Sequence, residues 1–466
     1  YLFARKHNGK FLLRIEDTDQ ERSKAEHEAQ ILESLSWLGI HWDEEPIHQL
    51  SRAARHKEVA ESLVESGNAY YCYATPEEIE SYREQAKAEG RSLHFRSPWR
   101  KGNAPIRKDV APAIRLKVPL EGSAIIEDSV QGHIEVSNSE LDDMVLLRGN
   151  GSPTYMLAVV VDDHDMGVTH IIRGDDHLTN GFRQIQLYKA LKWEVPIMAH
   201  IPLIHGSDGA KLSKRHGATS AGEYKNLGYL PEAMTNYLIR LGWSHGDQEF
   251  FTMAEAEQLF NLESVNQAPA RFDAAKLSHF NSHYLRQKDN EALIELLKPF
   301  WQQKGIKYRE EHKNRLMAGL TSLKERSNTL IELAEAARFY LMDAEDFDYQ
   351  SISSTNKETL EKCDSNLVVQ FVNYLQELED SLWQSELTLS NCSNNWLKEK
   401  GAKLAKIGPA IRLALAGATT APGVFAIMAA LGKHETRRRL EKFLRSWQRS
   451  SPRRHTPESD RRAARA

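Results

Sequence analysis

The stretch "YMLAVVVDDHDMGVTHIIRGDDH", Tyr155 to His177, decides the fold class. Its first part, "YMLAVVV", is a short uninterrupted apolar run that reads as a buried strand and is much too short for a membrane span. "VTHIIRG" reads as a second strand with polar residues, Arg173, Asp175 and Asp176, at its carboxyl end, and a helix is expected over 178–191. Upstream, "KFLLRIEDTD" from Lys10 to Asp19 repeats the arrangement. A continuous apolar run ends in carboxylates, as a central parallel strand buried on both faces would. Thr18 and Glu21 have the spacing of a capping box. The helix they would open carries Ala25, Leu32, Leu35 and Leu38 at helical spacing and is closed by Gly39. A second helix is expected from about Ser51 to Glu65, after which "SGNAYYCY" returns to strand character.

Between residues 75 and 153 the texture changes. "AIRLKVPLEG", "VQGHIEVSN" and "DDMVLLRGNGSPTY" alternate apolar with polar residues and break at Gly, Asn and Pro, as antiparallel strands do. An insertion with its own small sheet is expected here. Strand, helix, insertion, strand, helix describes an open α/β sheet interrupted by a second domain. Ligands bind such sheets beyond the carboxyl ends of the strands, where Glu16, Asp17, Arg173, Asp175 and Asp176 fall. Past Tyr224 the chain turns helical, and beyond Asp289 it reads as amphipathic helices, for example "LTSLKERSNTLIELAEAARFYL" from Leu320. The end, "RSWQRSSPRRHTPESDRRAARA", has the composition of a disordered basic tail.

A chain of 466 residues implies about two to four domains. With 61 Lys+Arg against 65 Asp+Glu, overall charge gives no sign of a nucleic-acid partner. No basic-then-apolar signal pattern stands at the start and no apolar run approaches the length of a membrane span, so neither is expected. Cys72, Cys363 and Cys392 are too scattered for a disulfide framework or a metal knuckle and read as reduced thiols. "YLFARKHNGK" at the start reads as the last turns of a helix, so an N-terminal element is expected to be missing.

One local cluster stands out against that mild acidity. "DGAKLSKRHGAT", Asp208 to Thr219, places Lys211, Lys214 and Arg215 between Gly209 and Gly217. Two flexible ammonium groups on such a loop can reach one polyphosphate as charge develops on it. A solvated basic loop is the plainer alternative. The Walker spacing is absent.

"KLSKR" resembles the KMSKS signature of class I aminoacyl-tRNA synthetases. "FLLRIEDTD", "SPTYMLAVVVDDHDMGVTHIIRGDDHLTN" and "GYLPEAMTNYLIRLGWS" resemble the glutamyl-tRNA synthetase family of bacterial type. The likeness runs in order from Ala4 to about Leu444, and "KLAKIGPAIRLALAGATTAPGVFAIMAALG" resembles the end of that family's helical anticodon-binding region. Glutaminyl enzymes end in β-barrels instead. The resemblance implies an α/β, Rossmann-like class I synthetase catalytic domain with an α+β insertion, followed by all-α anticodon-binding domains. The implied boundaries are 1–72 and 156–206 for the catalytic domain and 73–155 for the acceptor-stem insertion. The KMSKS loop and stem-contact domain would follow at 207–288, the anticodon domains at 289–445 and the disordered tail at 446–466.

The implied activity is ATP-dependent activation of L-glutamate and its transfer to the 3′ end of tRNA(Glu), with Mg2+ arriving on ATP. Lys211 and Lys214 would be catalytic, Lys214 touching ATP and Lys211 assisting pyrophosphate departure. Asp175, Asp176 and His177 match a stretch near ATP. Arg173 would bind the substrate's side-chain carboxylate, Glu16 its α-ammonium, and Tyr155 would line the pocket. Val159 stands where some members carry a polar Asn. His164 reads as structural. Arg326 matches a position that senses an anticodon base, and "HFRSPWRKGNAPIRK" with Trp99, and Arg437, Arg438 and Arg439, would suit tRNA contacts. Cys72 alone cannot build the zinc site some relatives carry, so no zinc and no metal ligands are expected. A cytoplasmic monomer without membrane contact is expected. The alternative is a catalytically incompetent tRNA-binding fragment, because the family's SPTGxxHxGxxR segment has no counterpart in these residues. A shorter relative that glutamylates a tRNA base would lack the helical half found here.

Overall fold

The computed structural model describes residues 1–17, 25–102, 104–213 and 220–450. Parallel strand pairing organises the first part of the chain. After α1 (Leu2–Lys6), β1 (Arg14–Ile15) pairs in parallel with β2 (Ile47–His48), and α2 (Ala25–Trp37) lies between them in sequence. Gly39 follows α2 at φ 74°, the left-handed conformation that ends a helix at low cost to glycine. Then come α3 (Ala53–Glu65), β3 (Ala69–Cys72) and α4 (Pro76–Ala88). Thr75 and Glu78 close a capping box on α4. β4 (Ala113–Leu116), β5 (Ser123–Asp128), β6 (Gly132–Ser137) and β7 (Val145–Leu147) complete the middle segment. α5 (Tyr155–Asp165), β8 (His170–Gly174), α6 (Leu178–Leu191) and β9 (Ile197–Ile201) follow.

The strands form three sheets: β1-β2, the antiparallel β3-β4-β7, and β6-β5-β9-β8. In the last, β8, β9 and β5 run parallel and β5-β6 is an antiparallel hairpin. The expected separate sheet of the insertion is therefore divided. β3 joins β4 and β7, whereas β5 and β6 extend the sheet that contains "VTHIIRG". Leu116, Ile126, Leu146, Leu157, Val160 and Leu187, each at most 2% exposed, form the core between strands and helices. Each contributes about 1.5–3 kcal/mol relative to exposure.

Two strand expectations fail for physical reasons. "YMLAVVV" is the start of helix α5, not a strand. Leu157 to Val161 are all buried, so this stretch of the helix is apolar around its circumference and shows no amphipathic period. "KFLLRI" forms ladder pairs only at Arg14 and Ile15 and is half-buried rather than buried. Among the described residues its single partner strand is the equally short β2. The 178–191 helix is observed with those bounds as α6. The Thr18–Glu21 capping box lies outside the described residues.

α7 (Ala221–Asn226), α8 (Pro231–Gly242) and α9 (Met253–Leu259) lead to α10 (Ala274–Gln287). The chain divides into two units. Tyr1–Asn226 with Pro231–Leu277 form one, and Leu227–Leu230 with the residues from Ser278 onward form the other.

The second unit is helical: α11 (Asn290–Gln303), α12 (Lys313–Lys324), α13 (Leu330–Ala337), α14 (Tyr349–Thr355), α15 (Lys357–Glu361), α16 (Ser365–Glu377), α17 (Glu386–Glu399), α18 (Gly408–Ala416) and α19 (Val424–Ser450). α19 is broken at Gly432 (φ 74°, ψ 169°). It overruns the expected start of the tail at 446, because Trp447 is buried and packs 5.8 Å from the Phe443 ring. Residues 451–466 lie outside the described residues.

Arg439 also departs from expectation. It is fully buried and donates from Nε to Glu435 at 2.9 Å, from Nη1 to the Leu415 carbonyl at 2.5 Å and from Nη2 to the Phe339 carbonyl at 3.0 Å, with a further bond to the Met342 carbonyl. It ties helices together and is closed to nucleic acid, while Arg437 keeps an exposed side chain. Arg439→Ala leaves Glu435 buried with weaker partners, so an unfolding free energy lower by about 3 kcal/mol is expected in urea titration. A loss below about 1 kcal/mol would contradict the assigned role.

Candidate active site

Arg173 leaves β8 opposite His200 of β9, its direct register partner. Its Nε donates to His200 Nε2 at 3.1 Å, and its Nη2 to Gln184 Oε1 at 2.7 Å and to the His177 carbonyl at 3.4 Å. Among the described residues no carboxylate forms an ion pair with Arg173. Gly181 of α6 makes room for this. A Cβ there would lie 3.0 Å from Ile126 Cδ1 and 3.5 Å from Arg173 Nη2. His200 in turn hydrogen-bonds Asp128 Oδ2 through Nδ1 at 2.6 Å. Burial holds the His200 imidazole below its ordinary pKa, against the pull of Asp128.

Tyr155 opens α5, with its hydroxyl 3.5 Å from His177 Nδ1. Burial raises its pKa, with Arg173 pulling down and Glu16 and Asp163 pushing up, so these groups share one electrostatic neighbourhood. Arg14 of β1 bonds Asp163 at 2.7 Å and approaches Glu16 at 3.5 Å. Burial pushes the Asp163 carboxyl up, against Arg14. Glu16 itself is exposed. Gln184 Nε2, Tyr188 Oη and Arg14 Nε are buried with no hydrogen-bond partner among the described residues. Such groups are costly unless something else satisfies them. Val159 lies in the apolar core at 5% exposure, and His164 stacks on Trp193 at 3.7 Å.

The cationic loop begins with a tight turn. Leu212 N–H bonds the Ile204 carbonyl, Gly206 N–H bonds the Ala210 carbonyl, and Gly209 takes φ 77°. The turn delivers Lys211 to Asp176, Nζ to Oδ2 at 2.8 Å. That hydrogen bond is the main cause holding the Asp176 carboxyl below its ordinary pKa. Lys214 and Arg215 lie outside the described residues.

Other expected contacts fare differently. Arg96 and Arg100 of the basic stretch point inward, both to the buried Asp143, at 3.0 and 2.5 Å. Lys101 and Lys108 remain exposed. Trp99 donates its indole N–H to the Pro105 carbonyl at 2.9 Å. Arg326, exposed, lines a cleft of about 970 Å³ in the second unit with Glu332, Glu335, Arg338 and Asp348. Cys72 is a buried free thiol. Among the described residues only Glu311, His312 and Asp343 gather three potential metal-ligand atoms. Arg309 and Arg315 already bond those two carboxylates, so guanidinium charge fills the role an ion would take.

Sequence reasoning missed Arg14, Asp128, Asp163, Gln184 and His200. The available signal was placement. Arg14 and His200 lie within or just before the carboxyl ends of parallel strands, and Asp128 ends β5.

Beside Asp163, Asp162 is fully buried and accepts from His56 at 2.8 Å, Gln49 at 3.0 Å and Arg52 at 2.6 Å. Burial alone would raise its pKa, but these hydrogen bonds outweigh it and hold the carboxyl below the ordinary range. A depressed carboxyl gives stability that is present above the unfolded value, about 3.9, and lost as pH falls through the folded one. Asp162→Asn is therefore expected to lower the melting temperature at pH 7 and to flatten its further fall below about pH 4. Parallel melting curves for the two proteins would contradict this.

Comparisons with known proteins agree with this layout. Residues 1–279 match the family described as tRNA synthetases class I (E and Q), catalytic domain, and residues 292–444 match an anticodon binding domain. The chain is 49% identical over 442 residues to glutamate--tRNA ligase 2 of Rhodospirillum rubrum, covering 94% of this chain and 93% of that protein. It is 48% identical to glutamate--tRNA ligase 1 of Beijerinckia indica, again covering 94% and 93%. The crystal structure of a glutamate tRNA ligase from Elizabethkingia meningosepticum, in complex with its amino acid, superposes with a TM-score of 0.81 at 30% identity. It covers 96% of this chain and 94% of that one. By its catalytic fold, its anticodon-binding half and these relatives, the chain belongs to the glutamyl-tRNA synthetase family of class I.

Proposed function

We propose that the chain is a glutamate--tRNA ligase that selects its amino acid through Arg173. The observation that carries this reading is a half-buried guanidinium whose hydrogen-bond partners are an imidazole, an amide and a carbonyl. A cation with neutral partners keeps its charge for a substrate carboxylate, and its fork can bind one through two parallel hydrogen bonds. Glutamine offers an amide there, which cannot accept from both prongs.

In this reading Glu16 receives the α-ammonium and Tyr155 walls the pocket. The α-carboxylate of glutamate attacks the α-phosphate of ATP. A carboxyl–phosphorus bond forms, the α–β bridge breaks, and pyrophosphate leaves with its charge. Lys214 would stabilise that charge, and Lys211 would exchange its partner Asp176 for the departing phosphates. The site would act by positioning and charge, with no covalent enzyme intermediate. Asp176 and His177 then border the ATP, which carries Mg2+ as part of the substrate. The terminal adenosine hydroxyl next attacks the acyl carbon and releases AMP. Lys101, Lys108 and Arg326 are candidate tRNA contacts. The reading includes no zinc, since Cys72 is the sole cysteine of the first unit. It includes the cytoplasm and a monomer; among the described residues no helix is long and apolar enough to cross a membrane. The reading as an incompetent fragment draws no support from relatives that the chain covers to 93%.

The test is aminoacylation and pyrophosphate exchange with glutamate, ATP and tRNA(Glu). Arg173→Gln is expected to raise the KM for glutamate about 100-fold, the scale of a lost charge-assisted fork, while the KM for ATP stays put. Unchanged glutamate kinetics would contradict the pocket assignment. Lys214→Ala is expected to slow pyrophosphate exchange about 100-fold or more with tRNA affinity retained. Equal losses in both would refute its role.

A further inference from the structure

Three neighbouring strands carry a chain of hydrogen bonds that ends on Arg173. Asp128 closes β5, His200 lies in β9 and Arg173 in β8. We propose that Asp128 and His200 are positioning residues for glutamate selection: Asp128 fixes the ring proton of His200 on Nδ1, and the bare Nε2 aligns the Arg173 guanidinium on the substrate carboxylate. This rests on the reading of Arg173 as the substrate anchor.

The protonation pattern follows from the partners. A guanidinium only donates, so His200 Nε2, 3.1 Å from Arg173 Nε, must accept and carry no proton. Nδ1, 2.6 Å from Asp128 Oδ2, then carries the proton and donates it. Asp128 is itself fixed, accepting backbone N–H groups from Val130 and Gln131 at 2.9 Å and from His200 at 3.0 Å. Both side chains are fully buried. The interposed imidazole matters electrically. A carboxylate directly on Arg173 would pair with its charge and compete with the substrate. Through His200, Asp128 orients the guanidinium while Arg173 meets only a neutral acceptor. An acid that fixes a histidine tautomer for the sake of a third group is a known use of such buried pairs.

The test compares Asp128→Asn, His200→Gln, His200→Leu and Arg173→Gln in the full chain. The readouts are KM for glutamate and for ATP, selection against glutamine, and melting temperature. Asn at 128 can place an amide N–H against Nδ1 and drive the proton to Nε2, donor against donor with Arg173. Asp128→Asn and His200→Leu are expected to raise glutamate KM at least about tenfold, with ATP KM within about twofold. His200→Gln, whose Oε1 can accept from Arg173, should restore glutamate KM to within about threefold of wild type. If Arg173→Gln raises glutamate KM and Asp128→Asn does not, the relay is overturned while the anchor stands. If Arg173→Gln changes nothing, the anchor falls and the relay with it. Equal rises in glutamate and ATP KM for Asp128→Asn would also overturn the relay, marking a merely structural role. Should that variant fail to fold, ¹⁵N NMR of wild-type His200 still decides: a proton on Nδ1 is expected, and one on Nε2 overturns the proposal.

Discussion

Among the described residues Arg173 is held by neutral groups and by no carboxylate, and the side chains next to it are arranged around that constraint. A half-buried guanidinium would ordinarily be paired with a carboxylate, because leaving a charge unpaired away from water is costly. Here Asp128 stands one residue removed, behind His200, and Asp163 is taken by Arg14. Gln184 and the His177 carbonyl meet its Nη2 with dipoles instead of charge. The parallel register that sets Arg173 opposite His200 is what makes this arrangement possible.

The same comparison separates Arg173 from the cations that are enclosed by carboxylates or carbonyls of the fold. Arg96 and Arg100 converge on buried Asp143, and Arg439 is enclosed by Glu435 and three carbonyls. Lys211 is intermediate. It is exposed and paired with the less exposed Asp176, a surface contact that water and salt weaken. In the proposed reaction, exchange of that partner for phosphate would cost little.

Much of this was legible in the sequence, and the losses are specific. "VTHIIRG" and the helix over 178–191 were readable because apolar residues recur with a clear period. "YMLAVVV" was not, since a helix buried on every side has the pattern of a buried strand. The run of Arg437, Arg438 and Arg439 reads as three surface charges until α19 turns one of them inward. Arg173 and Tyr155 were found through motif resemblance, and the structure brings them into one neighbourhood with Glu16. His200 and Asp128 carry no motif. Their contact depends on strand register between segments 72 residues apart, which no local pattern encodes. Lys214, the other half of the cation pair, lies outside the described residues, so its place rests on the sequence.

The most direct measurement is a crystal structure of the chain with L-glutamate bound. The account requires a side-chain carboxylate oxygen of glutamate within about 3 Å of an Arg173 Nη atom, with Arg173 Nε still on His200. A glutamate whose side-chain carboxylate is bound by other cations, with Arg173 kept on protein groups alone, would contradict it.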